Sequence, residues 1–414
     1  MRRGKKVLPI VFTVILVDML GVGILIPIIP LLFADPAYPY HLALSASDGY
    51  LLLGALTALY PFAQFLATPV IGQLSDTFGR KPLLAFTLFG TAVSYALFAV
   101  GIIFRNIPLL FVARALDGIT GGNVAVAQAS IADTTEHEHR ARSFGIIGAA
   151  NGVGFILGPL FGGFLSDPKI HHVFGAPTPF WFAAGLSFLN MLAVLFFFPE
   201  TRTHKTKHRI RFAQSFRNIK DALVGKDRRS LYVTSFVFQA GFAFIITFFG
   251  VYLIARFGFG QRQIGYLFGF VGLLLAFAQL TLTGPLSKRF RPYGIISASL
   301  LVMGVSLIGV YAVHDPILLY VMTIPTAIAA ALVLTNLTAL ISTSSAKSNQ
   351  GTALGMNSSV QALAQSIPPV FAGGIAAIFA PTTPILFAGG IIIAAGVFFT
   401  LTHVESYPII GSSS

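Results

Sequence analysis

The chain has 414 residues, 55% of them hydrophobic and 10% charged, with a mean hydropathy of +0.81. A soluble domain carries roughly 25% charged residues, so this chain has too little polar surface to cover a water-exposed globule and must be solvated by lipid. A net charge of +13 invites a nucleic-acid reading, which the placement of those charges excludes, and the lack of any cysteine rules out disulfides, thiolate catalysis and Cys-ligated metal.

A spanning helix needs about 20 apolar residues. Runs of that length predict an all-α membrane protein with twelve transmembrane helices at 8–33, 48–72, 82–104, 107–132, 141–165 and 178–199, then 230–255, 263–285, 293–313, 315–342, 349–378 and 381–403. The runs do not alternate apolar with polar residues, as the strands of a β-barrel would. Two pseudo-symmetric six-helix bundles, 1–199 and 230–414, are expected on either side of a basic linker, 200–229. The basic stretch Met1–Lys6 precedes an apolar run too long for a signal peptide and is read as the start of an uncleaved first helix.

The first helix carries Asp18, ten residues in and so roughly 15 Å deep. The second contains Gln64 and ends in the string Gly72-Gln73-Leu74-Ser75-Asp76-Thr77-Phe78-Gly79-Arg80-Lys81-Pro82. Gly79 and Pro82 permit a tight reversal there, and Asp76 and Arg80 set opposite charges at the membrane edge. In the fourth helix Asp117 is again roughly 15 Å deep, with Arg114 one turn away on the same face. Charged groups at mid-membrane cost about 2.5–3.5 kcal/mol each, so Asp18, Arg114 and Asp117 are expected to work, as a proton relay. A guanidinium favours a neighbouring carboxylate's charge while burial opposes it. The fifth helix places Gly154, Gly158 and Gly162 on one face and Gly148 and Gly152 one stripe over, with Pro159 between them. Small residues let backbones approach in lipid, and the segment is expected to serve as a hinge between the halves.

The second half has no ionisable residue well inside its spans. Its intramembrane amides are Gln239, Gln279, Asn336, Gln361 and Gln365. With Gln64, the set Gln239, Asn336, Gln361 and Gln365 is expected to line a substrate cavity, and some of the 40 Phe to make it apolar. Gly145, Pro159, Phe161 and Gly163 recur 210 residues later as Gly355, Pro369, Phe371 and Gly373, which supports an internal duplication. Of the 27 Lys and Arg, 22 fall in segments that are cytoplasmic if both termini are, and four fall outside. The basic charge therefore sets orientation and faces anionic headgroups; nucleic acid is not a partner.

The string from Gly72 to Pro82 resembles the signature loop of the major facilitator superfamily. Asp18-Met19-Leu20-Gly21 through Pro27 and Pro30 is similar to the first helix of its drug:proton antiporters. Arg114-Ala115-Leu116-Asp117-Gly118 is similar to its fourth-helix motif, and Gly148 to Gly163 resembles its antiporter motif. Gly118-Ile119-Thr120-Gly121 and Ile131-Ala132-Asp133-Thr134-Thr135 resemble tetracycline efflux proteins. The resemblance implies that Gly72, Asp76, Gly79, Arg80 and Asp133 form a cytoplasmic gate, with Arg80 meeting Asp133. When that side closes, Asp76 is expected near the N-terminus of helix eleven, around Gly351, where the helix dipole favours a carboxylate. One departure stands out. The tetracycline pumps carry an acidic residue in helix three and a His and an Asp in helices eight and nine, whereas Ser94 stands at the first position and 263–313 holds no His, Asp or Glu; a metal–tetracycline chelate is not the expected substrate.

No G-x-x-x-x-G-K-[ST] loop and no nucleophile–base or metal constellation is present, so neither ATP drive nor an enzyme is expected. The reading is a secondary transporter exporting small amphiphilic compounds against protons, a monomer of the plasma (bacterial inner) membrane that needs no cofactor. The alternatives are a facilitator or symporter for a metabolite and a non-transporting receptor.

Overall fold

The computed structural model describes residues 2–135, 140–202, 213–224, 228–344 and 350–403. Among these, eleven helices are long and apolar enough to cross a membrane. In the first half they are α1 (Val7–Ala34), α2 (Ala46–Phe78), α3 (Arg80–Ile103), α4 (Ile107–Thr134), α5 (Gly145–Leu165) and α6 (Thr178–Phe197). In the second they are α7 (Arg229–Phe257), α8 (Gln261–Arg289), α9 (Pro292–Ala312), α10 (Pro316–Thr343) and α12 (Thr383–Thr402). The span expected over 349–378 is instead two helices, Gln350–Ser366 and Pro368–Ile378, together called α11. Pro368 and Pro369 cause the break. Each lacks an amide hydrogen, and a proline ring clashes with the preceding turn.

Breaks occur in the first half as well. α1 pauses between Leu25 and Ile29, ahead of Pro30. α4 stops at Thr120 and restarts at Asn123, with Gly121 and Gly122 at the joint. α8 holds a five-residue π segment, Ala278–Leu282. Discontinuities inside membrane helices persist where neighbouring helices or a cavity satisfy the freed backbone.

Within the first half α1 packs on α5 and α3 on α6; within the second α9 packs on α10 and α12, and α7 on α12. The halves meet along two seams, α5 with α8 and α2 with α11. Both seams use the same device. A Cβ on Gly265 would lie 2.5 Å from the Pro159 carbonyl oxygen and 3.1 Å from Gly163 Cα; one on Gly54 would lie 2.3 Å from the Pro369 oxygen and 3.4 Å from Gly373 Cα. The repeated Pro–Gly pairs thus make one contact twice. They do so away from the linker, at what we call the far end. There Arg262 pairs with Asp167 at 3.6 Å and Gln261 Nε2 reaches the Ser166 carbonyl at 3.4 Å, so the far end is shut.

The expected hinge glycines sit elsewhere. Gly154, Gly158 and Gly162 press on Leu16, Gly23 and Ile24 of α1, inside the first half, while Cβ atoms on Gly148 and Gly152 would meet nothing within 4 Å. The stripe is therefore α1–α5 packing, and Gly163, the next residue on, makes the contact across the halves.

The linker is not only a charged connection. Gln214–Val224 forms a helix whose Ser215 hydroxyl donates to the Phe65 carbonyl of α2, and whose Asn218 Nδ2 donates to Ser359 Oγ of α11 at 3.0 Å. Phe216 meets Phe65 edge to face, centroids 5.2 Å apart. One short helix thus touches both halves.

Candidate functional site

Three polar assemblies stand out, two of them in the first half and one between the halves. The deepest is a charge cluster in the first half. Asp18, Arg114 and Asp117 are each no more than 5% exposed. Arg114 Nη1 donates to Asp117 Oδ2 at 2.9 Å, one turn apart as the spacing implied. The guanidinium also lies over the Tyr60 ring, 4.5 Å from its centroid, where a desolvated cation–π contact adds about 2 kcal/mol. Asp18 is held by Asn123, whose Nδ2 donates to Oδ1 at 2.9 Å; Asp18 Oδ2 is buried with no partner among the described residues. That oxygen is where a proton can be taken up without breaking a hydrogen bond. The Ser94 hydroxyl donates to the Thr91 carbonyl at 2.8 Å.

The break in α4 is what assembles the cluster. Asp117 lies before it and Asn123, the partner of Asp18, just after it. Gly121 N closes on the Asp117 carbonyl at 2.8 Å. Asn123 and Tyr60 were not singled out from the sequence. A Gly-Gly pair preceding an Asn inside an apolar span was the available signal.

The second assembly is a cavity of about 430 Å³ between the halves. Gln64, Gln128, Gln361 and Gln365 line it, with Asn218 and Ser215 from the linker helix, and hydroxyls of Thr68, Ser358 and Ser359 complete its polar surface. It extends past Gly72 and Gly355, toward the linker end. Among the described residues, none that lines it is ionisable. Two expected members are absent. Asn336 donates from Nδ2 to the Leu332 carbonyl at 2.8 Å and accepts from Ser287 at 3.1 Å, so it ties α10 to α8. Gln239 is 5% exposed and stands behind Gln365, whose Nε2 lies 3.5 Å from Gln239 Oε1. An amide inside an apolar span must find a partner, and for these two the partner is another helix.

The third assembly closes the linker end of the first half. Arg80 is paired with Asp76 at 2.7 Å and with Asp133 at 3.0 Å, and it also reaches the Ser75 hydroxyl. Glu200, past the end of α6, accepts from the backbone N–H groups of Arg80 at 2.9 Å and Lys81 at 3.3 Å, capping a helix start that is otherwise unsatisfied. Gly79 has φ +116°, and a Cβ there would fall 2.3 Å from the Glu200 carboxylate; the left-handed backbone and the close approach both require glycine. Arg202 comes within 3.6 Å of Asp76 and 4.0 Å of Asp133. By sequence Glu200 and Arg202 fall in the linker, 200–229. Asp76 is thus engaged within its own half. Its described partners do not include the start of α11, and residues 345–349 ahead of that helix are outside the described residues. Gly72 lines the cavity wall.

A model of the Major Facilitator Superfamily matches residues 11–292 and 231–412. The tetracycline resistance protein, class C, of Escherichia coli is 33% identical over 291 residues, covering 70% of this chain and 69% of that one. The crystal structure of the human organic anion transporter MFSD10 (TETRAN) superposes with a TM-score of 0.69 at 24% identity, covering 96% of this chain and 99% of that one. An inward-facing bacterial homologue of the lysosomal transporter Spinster gives 0.74 at 16% identity over 98% of both chains; at such identity the likeness is one of fold.

Proposed function

The chain belongs to the major facilitator superfamily, a family of integral membrane transporters, and from that premise we propose that it exports small neutral or singly cationic amphiphiles in exchange for protons. The observation that carries the reading is a division of labour. Two carboxylates, Asp18 and Asp117, are buried together in one half, while an uncharged, amide-lined cavity lies beside them between the halves. Charges that deep in a membrane helix mark ion pathways, and the cavity is within the range of small-molecule sites. In this reading Asp18 carries the proton, because Asp117 is committed to Arg114. The proton gradient supplies the energy and no cofactor takes part. The halves rock, 1–199 against 230–414, about the duplicated seam contacts. The network of Asp76, Gly79, Arg80 and Asp133 gates the linker end, which the distribution of Lys and Arg makes cytoplasmic. A monomer in the plasma (bacterial inner) membrane suffices.

The relatives named for tetracycline resistance support efflux. The organic-anion transporter points to another cargo, yet a dianion would find no cation among the described residues that line this cavity. The test is ethidium efflux in everted vesicles, and a resistance panel in cells lacking their own pumps. Uphill, ΔpH-dependent transport that is lost in Asp18→Asn supports antiport. Transport indifferent to ΔpH, or strong saturable transport of a dianion, defeats it.

A further inference from the structure

Gln64 is the polar side chain that the cavity and the charge cluster share. It lines the cavity, and its Nε2 donates both to Tyr60 Oη at 3.2 Å and to the Gly121 carbonyl at 3.1 Å. A backbone carbonyl only accepts, so the nitrogen must be on that side and the amide orientation is fixed. Both donors are then used, and Oε1 is the group left for the cavity. Its two anchors are informative. Tyr60 carries the Arg114 guanidinium on its ring. Gly121 is the joint of α4, bonded back to the Asp117 carbonyl and two residues ahead of Asn123, which holds Asp18.

We propose that Gln64 is the positioning residue that couples occupancy of the cavity to the two carboxylates, and that it selects ligands bearing an N–H or O–H donor for its Oε1. A ligand that draws the Gln64 amide toward the cavity loosens its hold on Tyr60 and on the Gly121 joint. Both carboxylates feel this, Asp117 through Arg114 and the joint, Asp18 through Asn123. The titratable and charged groups facing the cluster are Asp18 from α1, Tyr60 from α2, Tyr95 from α3, and Arg114 and Asp117 from α4. The step is a carboxyl O–H releasing its proton to water and leaving a carboxylate; no other bond changes. This rests on the antiport reading above.

Two variants separate coupling from binding. Gln64→Met keeps the length and removes every hydrogen bond. Gly121→Ala keeps Gln64 but displaces it: the added Cβ would lie 2.9 Å from Gln64 Nε2 and 3.0 Å from Tyr60 Oη, and φ of −61° at Gly121 accepts alanine. The probes are ethidium, a monocation with amino N–H donors, and tetraphenylphosphonium, a monocation with none. Binding and protons released per bound probe are measured on the purified protein.

Gln64→Met should weaken ethidium about 5-fold and leave tetraphenylphosphonium within 2-fold. Gly121→Ala should release fewer than half as many protons per bound ethidium as wild type, whatever its effect on ethidium affinity. Wild type should release fewer protons with tetraphenylphosphonium than with ethidium. Unchanged proton release per ethidium in both variants overturns the relay while leaving antiport standing. A wild type that binds ethidium and releases no proton overturns antiport itself, and the relay with it.

Discussion

The two halves share a fold, a pair of seam contacts and a run of repeated residues, yet they solve the problem of polarity in the membrane differently. The first half buries charge: Asp18, Arg114 and Asp117 at its centre, and Arg80 between Asp76 and Asp133 at its edge. Among its described residues the second half buries only neutral polar groups, with Gln239 behind Gln365, Ser235 donating to Asn357 at 2.8 Å and Asn336 accepting from Ser287. The scaffold repeats across the halves and the chemistry does not. A neutral hydrogen bond lost in this fold is one bond lost, whereas a charge stripped of its partner is an ion in oil.

The sharpest way to break that comparison is to remove one member of each kind. Arg114→Ala strands Asp117 and should cost about 3–5 kcal/mol, read as a large fall in thermal stability. Asn336→Ala, its counterpart in kind, should cost about 1 kcal/mol. Comparable losses would mean that the halves do not differ as described. Next in size is Asp18→Asn, which should abolish uphill export while downhill exchange and ligand binding persist. A matched change in the second half, Gln239→Leu, should leave uphill export within a few-fold of wild type. Smaller effects are expected at the seams, where the halves should behave alike. Gly54→Ala and Gly265→Ala each push a methyl toward a proline carbonyl, so each should hold the far end open, measured as faster labelling of a cysteine placed at Ser166. One acting without the other would show that the duplicated contact is duplicated in form only. Smallest is Glu200→Gln, which keeps the shape of the α3 cap but weakens it by about 1 kcal/mol; it should shift the linker-end network without stopping transport.

Much of this is legible in the sequence. Run length and the placement of Lys and Arg gave the spans and their order, because the cost of a polar backbone in lipid leaves few alternatives. Depth along the helix marked Asp18, Arg114 and Asp117. What escaped shares one physical cause: the same residue type serves two purposes at the same depth. Asn336 and Gln361 are both amides in apolar spans, and only the neighbouring helix decides which one bonds to protein and which faces the cavity. A stripe of glycines marks close approach but not the partner, so Gly154, Gly158 and Gly162 were assigned to the seam that Gly163 makes. Breaks in α4 and α11 were drawn as continuous helix because hydropathy does not register a missing hydrogen bond. The linker helix, short and polar, gave no signal of membrane scale, and Glu200 and Arg202 were hidden in its charge.

The seam contact of Gly265 with Pro159 and Gly163, and of Gly54 with Pro369 and Gly373, joins a main-chain oxygen to an absent side chain. Nothing in it must be matched residue for residue across the joint, as a pair of interlocking side chains would have to be. A lineage can therefore rewrite one half's interior, adding carboxylates or exchanging amides, without first finding a compensating change in the other. The joint requires only that four glycines and two prolines stay where they are. It behaves as a standard fitting between interchangeable parts, which is a property that lets cargo and energy source evolve on separate schedules.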